Sequence, residues 1–338
     1  MRLARYILRR LLLVVPVLLG VTLVTFLLTR IVPGNPIDRV AGPYVSVERR
    51  AEMKREARLD RPFYTQFYLY VHDLVVDQEM GTSYTTARPV AEDLRERLPV
   101  SVELATLGML LAIVLAIPIG IASAVAKDSW VDHVGRIVSV IGVSMPIFWL
   151  GLVLLQVFFV KLDWVPAPMG RLPINLTEPP WVTGWLLIDA AIAGNGAVFW
   201  SALSHLALPV FVIAFTAMAP LARITRSAMI EALESDFVRF ARSLGLPNRI
   251  VIFQHALKNA MLPILTMVAA VYGYVLGGEV LVELVFAWPG LGAYSYNAIL
   301  ASDFPAIQGF ILLVTLTYVM IYLIVDILIA LLDPRVEY

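Results

Sequence analysis

Six apolar stretches, each about as long as a bilayer is thick, alternate along the chain with polar or basic connections. A transmembrane helix needs roughly 20 predominantly apolar residues, and the stretches near 11–32, 102–125, 135–160, 203–222, 262–285 and 307–331 meet that requirement. The pattern predicts an all-α polytopic membrane protein with six transmembrane helices. The first span follows MRLARYILRR, a basic opening like that of a signal peptide, but its apolar run is too long for an h-region and ends in TRIVPGNP, with no small-x-small cleavage site. It reads as a retained span. A seventh candidate, VTGWLLIDAAIAG at 182–194, is too short, carries Asp189 and ends in Gly194-Asn195-Gly196; it reads as an external loop that dips toward the membrane surface.

The polar connections carry patterns of their own. The chain divides into an N-terminus and first span (1–32), a small external module (33–100) and a five-helix core (101–338) that ends in a tail at 332–338. Within the module, 46–58 (SVERRAEMKREAR) is charged at helical spacing. Residues 63–76 place Phe63, Phe67, Tyr70 and Leu74 on one face, with Pro62 suited to a helix start. The most distinctive connection is 223–261, between the fourth and fifth spans. Residues 227–242 are good helix formers with Met229, Leu233, Phe237, Phe240 and Leu244 at spacings of three and four. Gly245 accepts the positive φ that ends a helix, Pro247 follows it, and a second helix is expected over 248–259. Helix, glycine turn, helix, span makes a two-armed projection with an apolar stripe and a basic rim. An amphipathic helix held on anionic headgroups by Arg239 and Arg242 is the competing reading, against which Glu231, Glu234 and Asp236 argue because anionic lipid repels them.

Charge then sets the orientation. With the N-terminus inside, the cytoplasmic pieces hold 13 of the 26 Lys and Arg residues, six of them in the 223–261 loop, whereas the two later external loops hold only Lys161 and Arg171. Both termini inside, with an even number of spans, is self-consistent. Composition excludes much else. A chain that is 59% hydrophobic and 15% charged is no soluble domain, since those average about 45–50% apolar and about 25% charged. Net charge is zero, which gives no reason to expect nucleic acid as a partner, and cysteine is absent, which removes disulfides, thiolate metal sites and cysteine nucleophiles. The four histidines lie far apart without HxxxH pairing, and none of the four lysines belongs to a GxxxxGK[ST] loop. No metal site and no ATP hydrolysis are expected of this chain.

Inside or near the spans, Glu279 and Glu283 stand four residues apart, on one helical face toward the external end of span five. Pairing or snorkelling is the ordinary reading of such groups, and a cation-attracting vestibule is the functional one. Gly273 and Gly277 form a GxxxG that permits close helix approach, at a subunit seam or inside the bundle. Pro118, Pro146 and Pro209 are expected to kink their spans. Pro289-Gly290-Leu291-Gly292 forces a tight external turn, read either as a hairpin or as a re-entrant element over a translocation path.

The pattern R-x-T-R-S-x-M-x-E-x-L-x-x-D-F-V-R-x-A-R-x-x-G-L from Arg223, followed by H-A-L-x-N-A-x-x-P from His255, resembles the cytoplasmic loop of the oligopeptide/dipeptide/nickel class of ABC importer permeases. Further matches come in order: Pro33-Gly34-Asn35-Pro36, Leu59-Asp60-Arg61-Pro62-Phe63, Pro146-Ile147-Phe148-Trp149-Leu150-Gly151, Phe286 to Gly292, Asp303-Phe304-Pro305 and Asp333-Pro334-Arg335. The resemblance implies a type I ABC importer permease architecture in a cell membrane. It implies that the loop is a coupling helix seated in a cleft of an ATP-binding subunit, with Glu231, Asp236, Arg239, Ala241, Arg242, Leu244, Gly245 and Leu246 as the coupling residues. It also implies that Pro289 and Gly290 lie over the translocation path, to which Glu279 and Glu283 are added as candidates by their shared helical face. Expected partners are a homologous second permease, two ATPase subunits that use ATP and Mg, an external solute-binding protein and membrane lipid. Departures from the class pattern occur at three places: Leu244 replaces a frequent Lys, Phe237 a frequent Tyr, and Gln78-Glu79-Met80-Gly81 the usual Gly-Asp-Leu-Gly. Class substrates are peptides, nickel chelates and glutathione-like compounds, with peptides the leading expectation. The runner-up function is a stand-alone secondary transporter whose basic loop lies on lipid; it requires an inverted repeat or midplane polar breaks, which the chain does not display.

Overall fold

A computed structural model of the 338-residue chain describes residues 2–31, 46–56, 58, 60–278 and 280–332. Among the described residues every extended element is a helix, and the only sheet-like pairing is an isolated bridge between Thr82 and Pro89. The helices are α1 (Arg2–Ile31), α2 (Val47–Glu56), α3 (Phe63–His72), α4 (Val90–Val125), α5 (Trp130–Ser144), α6 (Ile147–Leu154), α7 (Leu186–Ile192), α8 (Gly196–Glu234), α9 (Asp236–Ser243), α10 (Leu257–Gly278), α11 (Val280–Val285), α12 (Leu291–Ala301) and α13 (Phe304–Leu332). Five helices are long and apolar enough to cross a membrane, and a sixth crossing is supplied by α5 with α6 if that bent pair counts as one. The fold is the all-α polytopic one that the hydropathy pattern requires.

The third expected span differs from a simple kinked rod. Met145 takes an extended conformation before Pro146, and the α5 and α6 axes meet at 101°, because proline disfavours the α region for its predecessor and lacks an N–H for the continuing ladder. At Pro118 and Pro209 the helix runs on unbroken. The segment 182–194 does not cross: α7 is seven residues long, and the buried Asp189 carboxylate accepts hydrogen bonds from the backbone N–H groups of Val182, Thr183 and Gly184 and from the Thr183 hydroxyl. Burial pushes this carboxyl up, but those donors together outweigh it and hold it below the ordinary aspartate value.

Two compact units share the chain. One comprises Met1–Pro99 and Gly290–Met320. Here the expected aromatic face of α3 is used: Phe63, Phe67 and Tyr70 surround the buried Phe26 of α1, with ring centroids 5.4, 5.5 and 5.6 Å away. Burial lifts the Tyr70 phenol to about 12. A second small core joins Val90 and Leu94 to Leu291, Tyr294, Ala298 and Ala306, and the fully buried Asp303 carboxylate accepts from the Ser83 hydroxyl at 2.6 Å and the Thr85 N–H at 2.9 Å.

The other unit comprises Val100–Pro289 and Ile321–Glu337. Its axis is α8, against which α5, α7 and α10 pack. Close approach depends on small residues: a Cβ at Gly108 would stand 2.5 Å from Ile213 Cγ2, and one at Gly120 2.5 Å from Thr225 Cβ and 2.9 Å from the Ala222 carbonyl. Buried Glu103 accepts from the Leu187 N–H at 2.9 Å and from Arg171 at 3.0 Å, tying the segment before α7 to α4.

Candidate functional site

Helix α8 has 39 residues, hence about 58 Å at 1.5 Å per residue, nearly twice the roughly 30 Å hydrocarbon thickness. Its C-terminal turns therefore project beyond the bilayer, and α9 caps the projection. The join is Ser235, in extended conformation (φ −71, ψ 155), the backbone state of an N-cap residue. Asp236 then places a negative charge on the first turn of α9, where the helix dipole favours it. The continuous helix expected over 227–242 is thus two helices. The apolar stripe expected along it divides accordingly: Met229 is fully buried and Leu233 half-buried, whereas Phe237, Phe240 and Leu244 are 42%, 65% and 63% exposed.

The short α9 is amphipathic in an unusual sense, because both faces are apolar at their centres. Val238 and Ala241 face inward and are buried with Ile121 and Ala124 of α4, Ala228, Met229 and Ala232 of α8, and Val251, Ala256, Ala260 and Ile264. The outward face presents Phe237, Phe240 and Leu244, flanked by exposed Asp236, Arg239 and Arg242. Arg239 pairs with Asp236 at 3.2 Å, a solvent-facing contact of small energetic weight. Gly245 has φ +74 and ends α9, with nothing within 4 Å of where a Cβ would be. Leu246, half-buried, closes over the inner cluster. The second arm expected over 248–259 is no separate helix: a turn at Asn248–Ile250 and a wider-wound segment at Val251–Ala256 continue directly into α10.

The expected coupling residues therefore fall into two groups. Asp236, Arg239, Arg242 and Leu244 lie on the open side of α9, and Glu231 is exposed on α8; Ala241 and Leu246 belong to the inner packing, with Gly245 making the turn between. Sequence reasoning missed what fastens this knob. Fully buried Asp132 receives two hydrogen bonds from Arg226, Nε at 2.6 Å and Nη2 at 2.8 Å, a third from the Asp128 N–H, and the Arg136 guanidinium at 3.4 Å. Lys127 donates to Glu234 at 2.7 Å, and that carboxylate raises the lysine above its ordinary value. The partners are 94 and 107 residues apart, so no local spacing announces them.

Of the residues expected on the translocation path, Glu279 lies outside the described residues. Glu283 is fully buried and accepts the Ser101 hydroxyl at 2.6 Å, Pro289 is exposed, and Gly290 is buried as the residue that precedes α12. A different place in the fold is open: a cavity of about 280 Å³ lined by Ile147, Ile213, Thr216, Ala217, Pro220 and Tyr274 among others. It carries none of the four expected residues. Possible metal ligands come together at one place among the described residues, where His72, Asp73 and Asp77 bring ligand atoms within 4.8 Å of one another. His72 and Asp77 are exposed, and the half-buried Asp73 is held by Arg58 at 2.7 Å.

Comparison with known proteins agrees with this architecture over nearly its whole length. Residues 116–338 match the family described as binding-protein-dependent transport system inner membrane component, and residues 3–105 match the N-terminal region described for the same membrane components. A probable D,D-dipeptide transport system permease protein of Escherichia coli is 43% identical over 95% of this chain and 94% of its own length. A dipeptide transport system permease protein of Alkalihalophilus pseudofirmus is 40% identical over 98% and 99%, and a di/tripeptide transport system permease protein of Pseudomonas aeruginosa is 40% identical over 98% of each. With its apolar spans, its projecting α8–α9 knob and these matches across almost every residue, the chain belongs to the family of binding-protein-dependent transport system inner membrane components.

Proposed function

We propose that this chain is the membrane-spanning subunit of an ATP-driven importer of short peptides, and that α9 is its coupling helix. The observation that carries the reading is the two-sided apolar packing of α9. Val238 and Ala241 bind it to α8 and α10, leaving Phe237, Phe240 and Leu244 exposed inside a rim of charge. An exposed apolar cluster with a polar rim is the anatomy of a protein-docking surface. The partner is an ATPase subunit: the chain carries no P-loop, so ATP and Mg are used on separate chains, and this one does mechanical work and no catalysis. Two ATPases close on ATP, α9 is carried with them, and the spans switch between inward- and outward-facing forms. A homologous second permease completes the pathway and an external binding protein delivers substrate. Peptides are the substrate class favoured by the names of the relatives. Both termini and the α9 knob lie on the cytoplasmic side, as the distribution of Arg and Lys favours.

The native absence of cysteine supplies the test. Single cysteines at Arg242 and Leu244, with Ile174 (89% exposed) as the external control, are placed in the complex with the ATPases encoded beside it. Disulfide cross-links from 242 and 244 that change with ATP, and none from 174, are expected. Correctly inserted protein that forms no cross-link to any ATPase refutes the coupling role.

A further inference from the structure

At the same end of the molecule as α9, between the ends of α4, α5 and α8, lies a second cavity of about 280 Å³ that the coupling role does not use. Its walls hold Arg136, Arg223 and Arg226 together with the hydroxyls of Ser123, Ser139 and Ser227. We propose that this cavity is a binding site for the phosphate headgroup of an anionic phospholipid. The proposal rests on the topology given above only for the leaflet from which the lipid comes.

Charge favours an anion. Arg226 is committed to Asp132 through two hydrogen bonds, and Arg136 approaches the same carboxylate only at 3.4 Å, with nearly half its side chain open. Asp132 is itself fully buried behind these arginines and is no part of the cavity wall. Arg136, Arg223 and Arg226 outnumber the carboxylates of Asp132 and Asp128 that act on Arg226, which leaves an excess of positive charge, with Arg223 exposed at the rim. Arginine presents a fork of donors suited to phosphate oxygens; the Ser139 and Ser227 hydroxyls already donate to the Gly135 and Ile224 carbonyls, so the guanidiniums are the donors an anion meets.

Position favours a lipid over a soluble anion. Helix α5 runs antiparallel to α8, with Asp132 opposite Arg226 at one level and Gly142 against Ala219 about two and a half turns deeper. The cavity lies between those levels, where a headgroup gives way to acyl chain. Its deeper wall includes Ile119, Val140 and Ala222, and from Val140 an exposed apolar face continues over Ile137 and Ile141, 57%, 58% and 42% open. Trp130, 77% exposed at the start of α5, is the residue type that settles at a membrane interface. A basic pocket between helix ends beside an open apolar face fits a phosphodiester with its tails lying along α5.

The test uses the full chain purified in detergent and probed with phosphatidylglycerol, phosphatidylethanolamine and inorganic phosphate. Wild-type protein is expected to retain phosphatidylglycerol over phosphatidylethanolamine and to keep it in millimolar inorganic phosphate. Arg136→Gln/Arg223→Gln is expected to weaken retention about thirtyfold, as for two basic residues facing anionic lipid, while Arg136→Lys/Arg223→Lys restores most of it. Arg226 is left intact because it anchors Asp132. Equal retention of both lipids, displacement by inorganic phosphate, or unchanged retention in the Gln variant at wild-type helicity would each overturn the proposal. So would a cysteine at Ser139 that cross-links to the second permease in a complex holding no lipid. Retention is measured without ATPase, so a failure here leaves the 242 and 244 cross-links standing, and their failure leaves the lipid result standing.

Discussion

Helix α9 permits a contrast between two substitutions only two residues apart but opposite in outcome. Val238 is wholly buried and Phe240 is 65% exposed on the other face. Val238→Ala removes two methyl groups from the inner cluster, costing about 0.8 kcal/mol each in transfer plus a cavity contribution, roughly 2 kcal/mol in all. The isolated chain is expected to melt roughly 4 °C lower in detergent, at the small end of the shift per kcal/mol seen for large domains. Phe240→Ala leaves that melting point unchanged, because the ring already faces solvent. If docking covers it, the remaining 65% of a residue surface of roughly 200 Å² represents about 130 Å², worth at most about 3 kcal/mol. ATPase association then weakens by up to roughly a hundredfold. The assays are thermal denaturation of the purified chain and ATPase co-purification with substrate-stimulated hydrolysis in the reconstituted complex. A Phe240→Ala chain that melts as low as Val238→Ala, or that retains its ATPases with wild-type affinity, refutes the division of α9 into an inner packing face and an outer docking face.

Three further outcomes follow from the packing and the titrating groups. Asp132→Ala strips Arg226 of a two-point partner and leaves two guanidiniums facing each other; since Arg226 is partly open, the loss is expected near the lower end of the 3–5 kcal/mol range, read as early heat aggregation in detergent. Gly120→Ala must drive α4 from α8, because its Cβ would overlap Thr225 and the Ala222 carbonyl, costing roughly 1–3 kcal/mol, whereas Gly196→Ala, with nothing within 4 Å, shifts the melt by less than about 0.5 kcal/mol. Asp189 is held below the free carboxyl value of about 3.9, so its contribution is complete above that value and is lost as pH falls through the lower folded one. Hydrogen-exchange protection of the Val182, Thr183 and Gly184 amides is therefore expected to hold from pH 7 to 5 and to fall only below about pH 4, and Asp189→Asn removes that dependence.

What the sequence made legible was local. Apolar runs of bilayer length became helices because each such helix satisfies its own backbone in lipid. The Phe63, Phe67, Tyr70 face met Phe26 because three- and four-residue spacing places side chains on one side of a helix whatever lies opposite. Gly245 turned at positive φ because it has no Cβ to resist. The break at Ser235 carries conflicting local signals: a Ser followed by Asp inside a helical pattern is an N-cap signal, while the apolar spacing from Leu233 to Phe237 runs straight through it. The 101° bend was half readable, since Pro146 fixes where the helix fails while packing against α8 and α11 fixes the angle. Asp132 with Arg226, and Glu103 with Arg171, were beyond reach, because a single chain read in order gives no sign of which distant charge will answer a buried one. Glu283 shows the same limit: pairing is the ordinary reading of a carboxyl near a span end, but the hydroxyl that donates to it, Ser101, lies 182 residues away.

These long-range pairs bear directly on how a push at α9 would reach the spans. A helix held only by its two loops would rotate or melt when a partner moved it, dissipating the displacement locally. Here α9 is held by Val238 and Ala241 against three other segments, the end of α8 is latched by Glu234 to Lys127, and Arg226 two turns back is latched to Asp132 at the start of α5. From that latch α8 continues unbroken to Gly196, while the turn after Gly245 runs without interruption into α10. Displacement of α9 is therefore delivered to two long helices and, through Asp132, to α5 as well. The bend at Pro146 is where α5 can change direction without carrying α6 with it. The cavity between Ile147, Pro220 and Tyr274 is bounded by the elements so driven, α6, α8 and α10. On the coupling reading, that cavity is the part of this unit whose width changes when the knob moves.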